Sequence, residues 1–430
     1  MINKYFSLAK NKLFKINRSL TGKGNIETLN YIKKEFPSLK IKYFNSGKKV
    51  YDWVVPAEWN VKKAYVSDKF GKKIIDFEKN TLHLVGYSTS FFGKLKKDYL
   101  LKYIHTYKPL PDAIPYVTSY YSKRWGFCIS HNLKNIIKKS YKSNDLFKVV
   151  LDTSFNKNGK MHYGEIVLKG NSSKEILITT YICHPSMANN ELSGIIVTMS
   201  LINYFRNKKI NKTLRFLFIP ETIGAISYID KNYKVLKEKI IGGYNLSCIG
   251  DEKSHSCMLS KFSNSPSDEA LIASYKKLNI KKYNIYSFLE RGSNERQFNS
   301  PNINLGITSI FRTMYGKYPE YHTSKDDFKL VTLKGIKGGF EVAKEAINIL
   351  DKTIIPTSKI LCEPNLGKRG LYPTLSTIKG KKSYQARNFL NFLTYSDGKT
   401  TLNTISNLIN LKLTETKKIY KILKSKDILE

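Results

Sequence analysis

Histidine is scarce in this chain, with seven in 430 residues, and acids are scarce too: 34 Asp plus Glu stand against 73 Lys plus Arg. Five cysteines are present (Cys128, Cys183, Cys248, Cys257 and Cys362), an odd number in which no two share a Cys-x-x-Cys spacing. That pattern indicates neither a disulfide framework nor a thiolate zinc site. No apolar stretch approaches the length of a membrane span, and the first dozen residues are charged and lack an apolar leader core. These absences predict a protein of a reducing cytoplasm with no membrane span. The remainder favours a folded enzyme-sized chain: the length allows two or three domains, and a hydrophobic share of 41% supplies a core. The net charge of +39 is spread over dispersed pairs such as Lys33-Lys34, Lys208-Lys209 and Lys381-Lys382. It therefore reads as a compositional bias, not a nucleic-acid patch.

The most informative stretch is Tyr181-Ile-Cys-His-Pro-Ser-Met-Ala-Asn-Asn-Glu-Leu-Ser-Gly194. A β-branched apolar run, Ile176 to Ile182, precedes it and predicts a buried strand; Gly194 to Phe205 predicts a helix. A polar loop between a strand's carboxyl end and a helix's amino end is where open α/β sheets bind ligands. The same arrangement recurs downstream. Thr213 to Ile219 predicts a second buried strand ending in Pro220-Glu221, and a third strand from Ile241 leads towards Asp251. Strand, helix, strand, helix, strand implies a mostly parallel or mixed sheet with helices on both faces.

Three units follow from the changes in pattern. An α/β domain is discontinuous over 1–58 and 146–355. A small β-rich insertion occupies 59–145, where short alternating segments are separated by Gly and Asn-Lys turns. Residues 366–430 form a separate unit with helix-turn-helix spacing and a basic second helix, which predicts a winged helix. Its sequence has no arginine-rich recognition face, so protein contact is the expected role ahead of DNA. The insertion's position between core strands suggests that it caps the site.

Two of the few histidines, His184 and His322, fall in polar loops at predicted sheet edges with Glu191, Glu221 and Asp251. Zinc takes imidazole nitrogen and carboxylate oxygen and, in catalytic sites, keeps one position for water. A glutamate left free of the metal can take that water's proton.

Several long motifs add a resemblance. Arg18-Ser-Leu-Thr-Gly-Lys-Gly24, Asp52-Trp-Val-Val-Pro-Ala-Glu-Trp-Asn60, Asp112 to Tyr121, Arg124-Trp-Gly-Phe-Cys128, Cys183 to Gly194, Pro220-Glu-Thr-Ile-Gly224, Arg291-Gly-Ser-Asn-Glu-Arg-Gln297 and Pro319-Glu-Tyr-His-Thr-Ser324 stand in this order. Together they resemble, almost end to end, a bacterial family of aminopeptidase-like proteins of unknown function, with an inserted domain and a C-terminal winged helix. That family is related to the zinc co-catalytic aminopeptidases, and its members are associated with surface-polysaccharide biosynthesis. The resemblance implies a zinc-exopeptidase fold, with His184 as first metal ligand, His322 as last, Glu221 as catalytic base and Asp251 near the penultimate ligand. It also exposes two departures. The bridging aspartate of the co-catalytic pattern is Asn190 here, with Glu191 beside it, and the second Glu of the Glu-Glu pair is Thr222. The expectation is therefore one zinc ion, a second being left open, held by His184, His322 and one or both of Glu191 and Asp251.

The resulting reading is a zinc-dependent hydrolase of an amide bond in a small peptide or an acylated amino sugar. Arg291, Glu295, Arg296 and Glu320 are its candidate substrate-binding residues. Two alternatives stand beside it: a peptidase-fold binding or scaffold protein that has lost the chemistry, and a DNA-binding regulator working through the C-terminal unit.

Overall fold

The computed structural model describes residues 1–372 and 381–430; the stretch 373–380 of the expected C-terminal unit lies outside the described residues. Eight strands form the main sheet: β1 (Lys40–Asn45), β2 (Lys160–Leu168), β3 (Ser172–Tyr181), β4 (Lys212–Ile219), β5 (Ile240–Leu246), β6 (Ser256–Met258), β7 (Asn284–Tyr286) and β8 (Ile307–Phe311). Their spatial order is β1-β2-β4-β3-β5-β8-β6-β7. The central four, β4-β3-β5-β8, run parallel, while β1, β2 and the β6–β8 pairing are antiparallel. Strand β3 shows why it sits in the middle. Ile176, Leu177 and Ile178 are all fully buried, so both of its faces are apolar, as a strand covered by helices on both sides requires.

The helices are α1 (Ile2–Asn11), α2 (Lys23–Glu35), α3 (Ser193–Phe205), α4 (Ile223–Lys239), α5 (Pro266–Lys277) and α6 (Leu333–Lys352). One core cluster joins α1, α2, α3, α5 and α6 to one face of the sheet, and a second joins α4 and the small sheet to the other. Helix α3 is buried along nearly its whole length, which its sequence permits because it has no charged residue from Ser193 to Phe205. A Cβ on Gly194 would lie 2.4 Å from both the Leu246 carbonyl and the Thr180 hydroxyl. Only glycine lets the start of this helix approach β3 and β5 so closely.

The inserted region builds its own antiparallel sheet from Lys73–Asp76, Glu58–Ser67, Leu146–Asn156 and Phe91–Lys96. Strand Leu146–Asn156 pairs inside this small sheet and not beside β3. Trp59 packs beneath it, stacked on Tyr87 at 5.3 Å with its indole N–H donated to the Ser88 carbonyl at 3.0 Å.

The C-terminal unit contains helices Lys381–Thr394, Leu402–Leu408 and Leu413–Ser425, with bridges Thr357 to Asp397 and Ser358 to Leu429. It has its own core around Phe389, Phe392, Ile405 and Leu423. It touches α5 through Glu269, whose carboxylate accepts the hydroxyls of Thr401 (2.7 Å) and Thr404 at the amino end of Leu402–Leu408. A carboxylate is well placed there because the helix dipole and free N–H groups favour negative charge. Among the described residues no helix is long and apolar enough to cross a membrane.

Candidate active site

Because β4, β3, β5 and β8 are parallel, their carboxyl ends open on one edge, the usual ligand crevice of such sheets. Strand β3 delivers Cys183 and His184, β4 delivers Glu221 and Thr222, and β5 delivers Ser247 and Cys248. The segment after β8 returns His322. Four non-glycine residues in the left-handed backbone region gather here: Ser186 (φ 46°), Thr222 (φ 60°), Cys248 (φ 47°) and His322 (φ 54°). For β-branched Thr222 this is a true outlier, and such strain concentrates at functional sites.

The structure brings three of the expected residues together. The rings of His184 and His322 lie 5.4 Å apart, and His184 Nε2 is 4.0 Å from a Glu221 carboxylate oxygen. Tyr116, from the inserted region, packs its ring against both imidazoles, at 5.4 Å from His184 and 5.1 Å from His322. The insertion is clamped over the site by backbone bonds, Tyr116 N–H to the His322 carbonyl (2.8 Å) and Ser324 N–H to the Ile114 carbonyl (2.8 Å). Tyr321 stacks on His322 at 3.9 Å.

The two imidazoles differ electrostatically. Burial opposes charge on His184, but Cys183, Glu191 and Glu221 outweigh it and hold its pKa well above the usual imidazole value. Burial and the neighbouring His184 push His322 down to about 3, so it is neutral. Its Nε2 is buried without a hydrogen-bond partner. Burial also raises Glu221, against the pull of His184, Ser293 and Arg296.

The other expected carboxylates are placed differently. Glu191 sits in a π-turn (Ala188–Leu192) that opens α3. Its Oε1 accepts the Nε–H of Arg18, and its Oε2 accepts the backbone N–H groups of Cys183 (2.5 Å) and His184. Arg18 and Glu191 are both fully buried. Glu191 thus fixes the loop that presents His184, although its Oε2 also lies 3.3 Å from His184 Nδ1. Asp251 lies beyond the end of β5. It accepts the backbone N–H (3.0 Å) and hydroxyl (2.7 Å) of Thr313 and the Asn189 side-chain amide (3.0 Å), away from the two imidazoles.

Glu295 is saturated in the same way. It accepts the Asn245 amide (2.9 Å), the N–H groups of Gly292 (3.0 Å) and Ser293 (2.9 Å), and the Tyr315 hydroxyl (3.0 Å). It shapes the 291–297 loop from behind. Arg296, on the same loop, donates Nη2–H to the Thr222 hydroxyl and faces Glu221. Arg291 is exposed over the Phe288 ring at 5.3 Å. Glu320 pairs with Lys253 at 2.9 Å, near the surface.

Other residues at the site were not singled out by sequence. Cys183 Sγ lies 3.5 Å from His184 Nδ1 and accepts the Glu221 N–H at 3.2 Å. Cys183, His184 and Glu191 bring ligand atoms within 4.8 Å of one another. Asp326 accepts the N–H groups of Asn189 (2.5 Å) and Asn190 (2.9 Å), and burial raises its pKa to about 6. The position of Asp326 four residues after His322 was the available signal; nothing in the sequence points from Arg18 to Glu191.

The residues fit a cation between the imidazoles. His322 offers a neutral, buried nitrogen with no other partner, its ring lies 5.4 Å from that of His184, and Cys183, Glu191 and Glu221 lie beside His184. Neutral imidazole and anionic oxygen or sulfur are the donors that zinc prefers.

The chain is similar to several known proteins. A protein of Clostridium acetobutylicum, provisionally named as a polysaccharide biosynthesis protein with an aminopeptidase-like domain, is 38% identical over 399 residues, 92% of this chain and 89% of that one. A crystal structure of a provisionally named peptidase from the same organism has a TM-score of 0.79 and 34% identity, covering 100% of this chain and 96% of that chain. A zinc aminopeptidase from Bacillus subtilis shares the fold, with a TM-score of 0.59 at 12% identity over 80% of this chain and 93% of its own. Residues 354–430 match a winged helix-turn-helix family. Residues 6–353 match the family described as Domain of unknown function (DUF4910), and the chain belongs to that aminopeptidase-like family.

Proposed function

We propose that the protein is a zinc-dependent hydrolase of an amide bond, in which one metal ion is held chiefly by His184 and His322. The observation that carries this reading is the buried Nε2 of His322, which has no hydrogen-bond partner, on a ring 5.4 Å from that of His184. Burying a polar group without a partner costs about 1–3 kcal/mol, a penalty that a bound cation removes. Zinc bound there would polarise the substrate carbonyl and acidify a water. Glu221, which is not tied to backbone N–H groups as Glu191 is, would be the group to accept a proton from the attacking water and return it to the leaving amine nitrogen. Burial raises its pKa towards the range in which a carboxyl both takes and gives a proton. Tyr116 and Tyr321 wall the imidazoles off from bulk water.

The substrate is a small peptide or an acylated amino sugar, the latter favoured by the name of the Clostridium relative. The winged helix is assigned to protein contact. Turnover of such substrates, abolished by a chelator and restored by zinc, with Glu221→Gln retaining metal but losing activity by about 10²–10⁴-fold, is the expected result. Turnover indifferent to chelator would overturn the reading. A second reading, a peptidase-fold binding protein, draws on the hydrogen-bond saturation of Glu191 and Asp251, which leaves few anionic donors for metal.

A further inference from the structure

Arg18 is held by Glu191, and Arg215 by Glu165 at 2.7 Å and Glu175 at 2.6 Å. Arg296, half-buried at the strand-end crevice, is held differently. Among the described residues no carboxylate lies within ion-pairing distance of it, and its Nε is buried with no hydrogen-bond partner. Its one side-chain bond is to the neutral hydroxyl of Thr222. The nearest candidate acid on its own loop, Glu295, is occupied by Asn245, Gly292, Ser293 and Tyr315. The guanidinium nevertheless stands close enough to Glu221 to oppose the rise that burial gives its pKa. A half-buried guanidinium with an unpartnered nitrogen and no counter-ion gains from an anion that pairs with it.

We propose that Arg296 is a fixed cation of the site that receives an oxyanion, carboxylate or phosphate, of the bound molecule. Thr222 orients the guanidinium through one Nη, and the second Nη carries donors left for the anion. The positive charge also disfavours a second metal ion beside Glu221, where the co-catalytic pattern has a glutamate and this chain has Thr222. Molecules with an anionic group near the scissile amide are thereby selected over neutral ones. The assignment rests on the strand-end crevice being the active site, but anion binding at Arg296 does not itself need zinc.

The test is calorimetric titration of inorganic phosphate, and separately acetate, into the full-length protein, zinc-loaded and chelator-treated, with zinc content measured on the same samples. Wild type is expected to bind at least one of the two anions, and the tighter one identifies the group. Arg296→Gln is expected to weaken that binding by about tenfold or more in both preparations, while Arg206→Gln, an exposed arginine at the carboxyl end of α3, leaves it unchanged. Thr222→Val, which keeps the charge but frees the guanidinium, is expected to weaken it severalfold and serves if Arg296→Gln does not fold. Equal affinity in wild type, Arg296→Gln and Thr222→Val, or no anion binding by wild type, overturns the proposal. Wild type that takes up no zinc when it is supplied, yet still shows the Arg296 difference, would refute the zinc reading and leave this one standing.

Discussion

Two sets of polar residues meet at the carboxyl end of the sheet, and they are built in opposite ways. In the outer set, Glu191, Asp251, Glu295 and Asp326, each carboxylate is buried to 1% exposure or less and accepts several hydrogen bonds. In the inner set, His322 and Arg296 keep a buried nitrogen with no partner, and Glu221 is raised by burial. The outer carboxylates spend their lone pairs holding loops; the inner groups are left with bonding capacity. The difference teaches that a cluster of acids and histidines at strand ends cannot be read as a ligand set by residue type alone. Which acids are free is decided by what the rest of the fold gives them to hold.

Substitutions can break or sharpen this contrast. The largest effect is expected at Arg18→Ala, which strands the buried Glu191 carboxylate and loosens the His184 loop: a loss of about 3–5 kcal/mol, measured by urea denaturation. A loss below about 1 kcal/mol would show that the outer set is not structural. Glu295→Gln removes a charge-assisted acceptor from two backbone N–H groups and should cost about 1–3 kcal/mol, read in the same assay, with zinc content unchanged.

Asp326 gives the contrast a pH signature. Its folded pKa of about 6 lies above its ordinary 3.8, so between those values the native state binds more protons than the unfolded chain. Its contribution is most favourable below the lower value and is lost as pH rises through the folded pKa. The stability of wild type minus that of Asp326→Asn should therefore fall from about pH 4 to about pH 6 and then level. A difference that is flat or rises across that window would contradict the assignment.

Thr401→Ala, far from the crevice, removes the cap of Leu402–Leu408 and a contact to Glu269, for about 1 kcal/mol measured by thermal unfolding, with no change in bound metal. Smallest of all is Glu221→Gln. An inner group with no structural duty should change stability by less than about 0.5 kcal/mol while activity is lost, the reverse of Arg18→Ala.

Much of the fold was legible from sequence because it rests on local apolar pattern. The run from Ile176 gives β3, the uncharged segment after Gly194 gives α3, and Thr213 to Ile219 gives β4. Strand Leu146–Asn156 shows where pattern needed closer reading. Phe147, Val149, Leu151 and Thr153 are buried and Lys148 is exposed, the alternation of a sheet with one wetter face, broken at Val150, which is buried as well. At the site, His184 and Glu221 follow closely on the ends of β3 and β4, whereas His322 lies on a loop well past the end of β8. The duties of Glu191 and Asp251 did not, because their partners are remote: Arg18 lies 173 residues from Glu191, and Thr313 lies 62 residues from Asp251. Asp251 also lost its expected strand-end place because β5 stops at Leu246, leaving Ser247 and Cys248 at the crevice.

The central claim, a single metal centre built on the inner pair of imidazoles, is tested most directly by elemental analysis of untagged protein. Wild type should carry about one zinc per chain, and His184→Ala and His322→Ala should each lose it while remaining folded. Wild type without metal after zinc is supplied, or either variant retaining it, would contradict the account.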